Sequence, residues 1–184
     1  MLADRLLKIG IEAYETVEPT DGPVGRLIRR MLSGEIGVDQ RTIASLFAAD
    51  RTDHLVNEAN GIFNKVEQGR VVLCDRYYFS SYAYHAQFID MEWVIQANAL
   101  NAQILRPDII LFIDADPDAC FERIKKRGGP LEMYEKIDMM NHVRTNYLKA
   151  FDRLENDETV VLINGNQSIE KVAQSVWKQV KQLV

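Results

Sequence analysis

Cysteine is scarce in this sequence, and so is any apolar run long enough to cross a membrane. Only Cys74 and Cys120 occur among 184 residues, which supports neither a disulfide framework nor a cysteine-rich metal site. The longest purely aliphatic or aromatic run, Ile109 to Ile113, is far shorter than the ~20 residues that a bilayer requires. An acid, Asp4, stands where a signal peptide would be apolar. We therefore expect a protein of the reducing cytoplasm with no membrane segment.

An excess of positive charge is also missing. The chain carries 22 Lys and Arg against 27 Asp and Glu, a net charge of −5, so it has no field that would attract nucleic acid. Its 47% hydrophobic and 27% charged residues are typical of a globular protein. Because the length is close to that of one domain, we expect residues 1–184 to form a single domain without a nucleic-acid partner.

Short apolar runs that alternate with helical patterns indicate the fold class. The expected strands are Ile11 to Val17, Val71 to Cys74, Ile109 to Ile113 and Thr159 to Ile163. The Val71 to Cys74 run is fully apolar, as suits a sheet that is buried on both faces, and alternation of the strands with helices favours a parallel arrangement. The pattern predicts an α/β fold, a three-layer α/β/α sandwich around a mainly parallel sheet.

Capping residues set the expected helix boundaries. Asp39 is expected to cap one long helix that runs towards Gln68. Asp116 followed by Pro117 indicates the start of another helix, and Ser168 indicates the start of the last one.

Polar residues directly follow the expected strands, at the sheet edge where α/β proteins bind ligands. They are Glu18, Asp75 with Arg76, Asp114 with Asp116, and Asn164. Helix caps and turns explain Asp116 and Asn164 well. The Asp75-Arg76 pair either closes a structural ion pair or places a guanidinium for bidentate phosphate binding, and the dipeptide alone favours neither.

Aromatic residues near these positions favour a planar ligand. Four tyrosines lie between Tyr77 and Tyr84, which suits a ring and a sugar, although core packing is the alternative. Phe47 and Arg51 share one helix face and could stack on a base and bond its edge; a solvated face is the alternative. We expect His54 to be an ordinary surface residue. His85 and His142 have no cysteine or carboxylate at metal-binding spacing, so we expect no metal site made of protein ligands alone.

A basic segment surrounds a glycine- and proline-containing break in the second half of the chain. Lys125 to Arg127 precede Gly128 to Pro130, and Lys136 follows. The segment is either a solvated helix end or a mobile lid over phosphates, at about residues 125–140. The sequence favours neither interpretation.

Several of these motifs together resemble the thymidylate kinase family in order and spacing, over essentially the whole chain. The matching stretches are Phe47 to Arg51, Asp75 to Tyr77 with Ser80-Ser81 and Ala83-Tyr84, Asp114 to Pro117, Glu18-Pro19, and Asn164 to Glu170.

The resemblance implies a P-loop kinase-like fold that transfers the γ-phosphoryl group of ATP to dTMP with Mg²⁺, and it suggests a homodimer packed through helices. It implies that Phe47 stacks on thymine and that Arg51 and Ser81 lie at the base. Tyr84 would lie against the sugar and Arg76 would bind the acceptor phosphate.

The remaining implied site residues lie around the phosphates and the adenine. Asp75 would orient the acceptor and the water shell of the metal ion. Glu18 and Tyr77 would belong to the acceptor site. Arg127, Arg123 and Asn164 would flank adenine or the lid, with Arg127 as a candidate catalytic cation.

The family's phosphate-binding loop, G-x-x-x-x-G-K-[ST], does not occur in this sequence. In the family it precedes the helix whose last turns we assign to Leu2 to Ile9, so the chain resembles a family member that begins inside its first helix, without the first strand. That strand would lie between the Val71 and Ile109 strands, which must then pair directly, pair with another chain, or stay apart.

Smaller departures concern Val17, Met133 and His85, which stand where relatives commonly have Arg, Arg and Gln. We expect this chain to bind dTMP weakly and to catalyse little or no transfer. The alternatives are a non-catalytic nucleotide-binding protein descended from a kinase, or a kinase for another nucleotide or deoxynucleoside.

Overall fold

Helices and short strands alternate along the chain in the computed structural model, which describes residues 1–128 and 134–184. Part of the expected lid, and Met133 within it, therefore lie outside the described residues. The strands are β1 (Tyr14–Val17), β2 (Val72–Asp75), β3 (Ile110–Asp114) and β4 (Val160–Asn164). The helices are α1 (Leu2–Leu7), α2 (Pro23–Leu32), α3 (Gln40–Val56), α4 (Ile62–Glu67), α5 (Tyr78–His85), α6 (Met91–Ala97), α7 (Ala99–Ile104), α8 (Pro117–Arg127), α9 (Ile137–Arg153) and α10 (Ile169–Val180). Every helix in these two ranges is too short or too polar to cross a bilayer.

The strands form two parallel pairs. In the first pair Tyr14 lies opposite Val72, and in the second Ile110 lies opposite Val160. The α/β sandwich with parallel strands is thus confirmed. Within residues 1–128 and 134–184, no hydrogen-bonded ladder joins β2 to β3, so the two strands on either side of the expected gap do not pair directly.

The prediction of one long helix from Asp39 towards Gln68 is wrong, because two helices, α3 and α4, take its place. Asp39 does cap α3, accepting a hydrogen bond from the backbone N–H of Arg41. At the break, the side-chain oxygen of Asn57 accepts a hydrogen bond from the N–H of Ala59, which competes with helical bonding. Gly61 is required there, since a Cβ would lie 2.6 Å from the carbonyl oxygens of Leu55 and Asn57.

An aromatic core holds the two strand pairs together. Phe79 of α5, the helix that follows β2, lies 5.1 Å from Phe151 of α9 between ring centroids. Phe151 in turn packs edge-on against Phe112 of β3, also at 5.1 Å. Tyr78 and Tyr82 are buried in the same cluster, so two of the four tyrosines considered for ligand binding are core residues. Because no ladder of the described strands spans the pairs, this side-chain packing carries the connection.

We predict that Phe79→Ala lowers the free energy of unfolding by about 3–5 kcal/mol, because it leaves a cavity between α5 and α9. Phe79 is 4% exposed, whereas Phe88 is 46% exposed and serves as the matched control. Phe88→Ala should cost less than about 1 kcal/mol. Urea denaturation followed by circular dichroism measures both, and equal losses would contradict the assigned core.

Candidate functional site

A cavity of about 220 Å³ opens where β1 and β2 end, beneath α3 and α5. Its walls include six residues for which the family resemblance predicts a place in an acceptor site: Glu18, Phe47, Arg51, Arg76, Ser81 and Tyr84. A more open depression of about 450 Å³ lies around Asn146 and Arg153 and contains none of the predicted site residues. The first cavity is therefore the candidate site.

A buried ion pair between Arg51 and Glu18 forms one wall of this cavity. The two side chains are 1% and 2% exposed, and Oε2 of Glu18 accepts from Nε and Nη2 of Arg51 at 2.8 and 2.6 Å. The other terminal nitrogen, Nη1, donates to the hydroxyl of Ser81 at 3.2 Å and to the side-chain oxygen of Asn98. Buried charges need such complete pairing, because an unpaired one costs several kcal/mol. The guanidinium is thus fixed in place at the cavity.

A second polar contact fixes the loop that carries Glu18. The buried carboxylate of Asp50 accepts two hydrogen bonds from Thr20, from its backbone N–H and from its hydroxyl, both at 2.7 Å. Arg29 of α2 donates to the carbonyl oxygens of Pro19 and Thr20. Asp50 and Arg51 are consecutive residues of α3, so one turn of this helix holds both Thr20 and Glu18.

Arg76 presents the cavity with a guanidinium that has no carboxylate partner among the described residues within salt-bridge distance. Its guanidinium carbon lies 5.3 Å from the ring centroid of Tyr84. The backbone of Arg76 is left-handed, with φ of 68°, which is an uncommon conformation for a residue with a side chain. An exposed guanidinium at the end of β2 suits an anionic group such as phosphate.

Two other predicted residues, Asp75 and Tyr77, lie near the cavity but do not line it. The side chain of Asp75 is exposed at the end of β2, and its carbonyl oxygen accepts from the N–H of Glu18 at 3.0 Å. The hydroxyl of Tyr77 donates to the carbonyl oxygen of Leu105 at 3.0 Å, and its ring lies 5.4 Å from the guanidinium carbon of Arg51. Tyr77 thus packs against the Arg51 guanidinium without lining the cavity itself.

Of the residues expected on the ATP side, Arg123 and Asn164 lie at the end of β4, whereas Arg127 is the last residue of α8. Arg123 donates to the carbonyl oxygen of Gly165 at 3.4 Å, directly after Asn164. The side-chain oxygen of Asn164 accepts from the N–H of Asn166 at 2.9 Å, which closes a turn. Arg127 pairs with Glu135 at 2.8 Å, and Glu135 lines the cavity.

Two buried residues, one that lines the cavity and one that hydrogen-bonds to its wall, are not singled out as site residues by the sequence. His85, 2% exposed, lines the cavity with its ring centroid 5.1 Å from that of Phe47. Burial, with a contribution from the charge of Arg51, lowers the pKa of His85 to about 4, so the ring is neutral at physiological pH. Asn98 is fully buried and links Arg51 to the carbonyl oxygen of Val94. Its position between two short helices gave no pattern that would single it out.

The prediction that His54 is an ordinary surface residue is wrong. His54 is 8% exposed, and its ring nitrogens contact Glu18 at 3.1 Å and the hydroxyl of Thr16 at 2.7 Å. The physical reason is helical spacing: His54 follows Arg51 by three positions, so it shares the face of α3 that packs on β1 and β2.

Comparison with known proteins places these features in a family context. The family model described as thymidylate kinase matches residues 1–176. A probable thymidylate kinase of Pyrococcus horikoshii is 35% identical over 98% of this chain and 87% of its own length. A putative thymidylate kinase of Treponema pallidum is 32% identical over 91% of this chain and 80% of its length. A probable thymidylate kinase of Methanocaldococcus jannaschii is 31% identical over 97% and 88%.

We predict that Asp50→Asn destabilises the protein by about 1.5–3 kcal/mol, because an amide N–H₂ would oppose a donor of Thr20 in place of a charged acceptor. Asp53, exposed one turn further along α3, is the matched control. Asp53→Asn should change the free energy of unfolding by less than about 0.5 kcal/mol. Urea unfolding of both variants checks the prediction, and an unchanged stability of Asp50→Asn would refute the role of this contact.

Proposed function

Because the chain belongs to the thymidylate kinase family, we propose that its cavity binds dTMP as the acceptor in the transfer of the γ-phosphoryl group of ATP, with dTDP and ADP as products. One observation carries this proposal. A single cavity combines an aromatic ring, a fixed polar wall and a guanidinium with no carboxylate partner among the described residues, which are the groups that a base, its edge and a phosphate require.

The proposed binding mode assigns one part of the nucleotide to each wall. Phe47 would stack on thymine, and the wall of Arg51 and Ser81 would face the polar edge of the base. Because Arg51 is already held by Glu18 and Ser81, little side-chain entropy would be lost on binding. Tyr84, whose ring contacts the Arg76 guanidinium, would lie against the deoxyribose and disfavour a 2′-hydroxyl.

Arg76 is the proposed ligand of the acceptor phosphate. It is exposed at the cavity, and its partner there is the ring of Tyr84 rather than an acid. A phosphate could therefore take charge-assisted hydrogen bonds from the guanidinium without breaking an ion pair.

The residues on the donor side fit a Mg²⁺-nucleotide in part. Mg²⁺ usually takes one or two protein carboxylates besides water and phosphate oxygens, and the exposed carboxylate of Asp75 suits that role. When bound, the ion would neutralise charge that develops between the phosphates. Arg123, Arg127 and Asn164 are the proposed contacts to ATP, and Arg127 would have to leave Glu135 to reach a phosphate.

We further propose that these 184 residues alone transfer phosphate slowly. The motif G-x-x-x-x-G-K-[ST], whose backbone N–H groups hold the ATP phosphates and whose hydroxyl holds Mg²⁺, does not occur in the sequence. This observation also favours the second candidate function, a nucleotide-binding protein without catalysis.

The remaining proposals concern organisation. Residues 1–184 would act as one nucleotide-binding domain with a lid near residues 125–140, in the cytoplasm, and would form a homodimer through helices. Exposed apolar side chains on neighbouring helices support the last point, among them Val56, Trp93 and Leu100.

The binding proposal is tested by calorimetric titration of dTMP, with ATP titrated in parallel. We expect dTMP to bind and ATP to bind weakly or not at all. dTMP that bound no better than AMP or dCMP would overturn the acceptor assignment. An ADP-release assay with near-normal turnover would overturn the proposal of slow transfer.

A substitution at Arg76 tests whether this side chain binds the phosphate of dTMP or only helps to maintain the shape of the cavity. Arg76→Ala should weaken dTMP binding by about 10- to 100-fold, because a hydrogen bond to a charged group contributes about 1.5–3 kcal/mol. Thymidine, which has no phosphate, should bind this variant and the unmodified chain equally well. Arg41→Ala, which removes an exposed arginine at the start of α3, is the matched control and should leave both affinities unchanged.

A further inference from the structure

A second cluster of chemically versatile side chains lies beside the ion pair, between α3 and the first strand pair. Glu18, His54 and Cys74 each offer one potential ligand atom, and these three atoms lie within 4.8 Å of one another. Glu18 and His54 are buried and Cys74 is half-buried. The set combines oxygen, nitrogen and sulfur donors, and of the three residues the proposed nucleotide chemistry uses only Glu18, as the partner of Arg51.

The strand register brings two sides of the cluster together. Cys74 of β2 lies opposite Thr16 of β1, so the two side chains are on the same face of the strand pair. His54 approaches this face from α3, and Glu18 follows directly after β1.

Hydrogen bonds from neighbouring residues hold the side chains of His54 and Glu18 towards the cluster. Metal-binding histidines usually donate their second ring N–H to an oxygen atom, and Nε2 of His54 lies 2.7 Å from the hydroxyl of Thr16. Nδ1 faces the cluster and, in the metal-free protein, donates its N–H to Oε1 of Glu18 at 3.1 Å, because a carboxylate oxygen only accepts. The Arg51 contact occupies Oε2 of Glu18, which leaves Oε1 directed at the cluster.

We propose that Glu18, His54 and Cys74 form a binding site for a soft divalent cation such as Zn²⁺ or Cd²⁺, with water in the fourth position. Tetrahedral zinc sites place ligand atoms roughly 3.3–3.7 Å apart, given metal–ligand bonds of about 2.0–2.3 Å. The three ligand atoms lie within 4.8 Å of one another. To bind zinc, the two atoms that are farthest apart would have to approach each other by about 1 Å or slightly more. Mixed thiolate, imidazole and carboxylate donors select zinc-type ions over Mg²⁺.

Binding releases a proton. In the free protein the thiol of Cys74 lies 3.0 Å from the carbonyl oxygen of Arg76 and donates to it, and burial, helped by the charge of Glu18, raises its pKa to about 12. The metal–sulfur bond forms as the S–H bond breaks and its proton passes to solvent. The proton on Nδ1 of His54 moves by way of solvent to Nε2, which then donates to the hydroxyl of Thr16, and the freed Nδ1 lone pair binds the cation. Because Arg51 shares Glu18, we expect weaker affinity than that of sites with four protein ligands.

The first test is a Cd²⁺ titration of the whole 184-residue chain, followed by the ultraviolet charge-transfer band of cadmium thiolate. The chain has two cysteines, so Cys74→Ser should abolish the band and Cys120→Ser, the matched control, should retain it. Thr16→Val should weaken Cd²⁺ binding by about 10- to 100-fold, as expected for a partner that orients a ligand. A band that survives Cys74→Ser, or an affinity unchanged in both Thr16→Val and His54→Gln, would overturn the site.

The second test needs no variant and holds even if Cys74→Ser does not fold. Alkylation by iodoacetamide, with each cysteine quantified by mass spectrometry, should be slowed by Zn²⁺ at Cys74 and unaffected at Cys120. Equal rates at Cys74 with and without Zn²⁺ would refute the proposal. The cation site does not depend on nucleotide binding, so both tests are independent of the proposed kinase function.

Discussion

The buried ion pair between Arg51 and Glu18 is the contact on which the rest of the site depends. It joins α3 to the end of β1, and through Ser81 and Asn98 the same guanidinium reaches α5 and the segment between α6 and α7. Burying two charges is unfavourable unless both are fully hydrogen-bonded, so the pair persists only while these elements stay in place. The cavity wall is consequently formed before any ligand arrives. Phe47 and Arg76 can then present a ring and a guanidinium at fixed positions relative to that wall.

The residues next to Arg51 on α3 also position the segments around the cavity. Asp50, Arg51 and His54 lie on its buried face and hold Thr20, Glu18 and Thr16 in turn. β1 and β2 are short and are not joined by a ladder to the other strand pair within the described residues. The position of the site relative to β3 and β4 thus relies on side-chain packing between α5 and α9. Aromatic packing of this kind can supply several kcal/mol, but it does not fix register as a hydrogen-bonded sheet does.

Local signals in the sequence predict the elements better than they predict the contacts. Asp39, Asp116 and Ser168 cap helices as their residue types indicate, because capping is decided within a few residues. The break after Val56 was not predicted, since apolar spacing continues through it while the side chain of Asn57 redirects the backbone. The six acceptor-site residues that line one cavity were assigned largely from the family resemblance. Periodicity alone placed Phe47 and Arg51 on one face, but it could not name Glu18 as the partner of Arg51 or place His54 inside, because both depend on contacts more than 30 residues apart.

The most direct test of this account is a double-mutant cycle of Glu18→Gln and Arg51→Gln on the free energy of unfolding. We expect each single variant to lose about 3–5 kcal/mol, because it leaves one buried charge without its partner, and the double variant to lose clearly less than the sum. If a single variant does not fold and the double variant does, this result also shows that the two side chains depend on each other. Losses that add to within about 0.5 kcal/mol would show that the two side chains act independently and would contradict the central role of the pair.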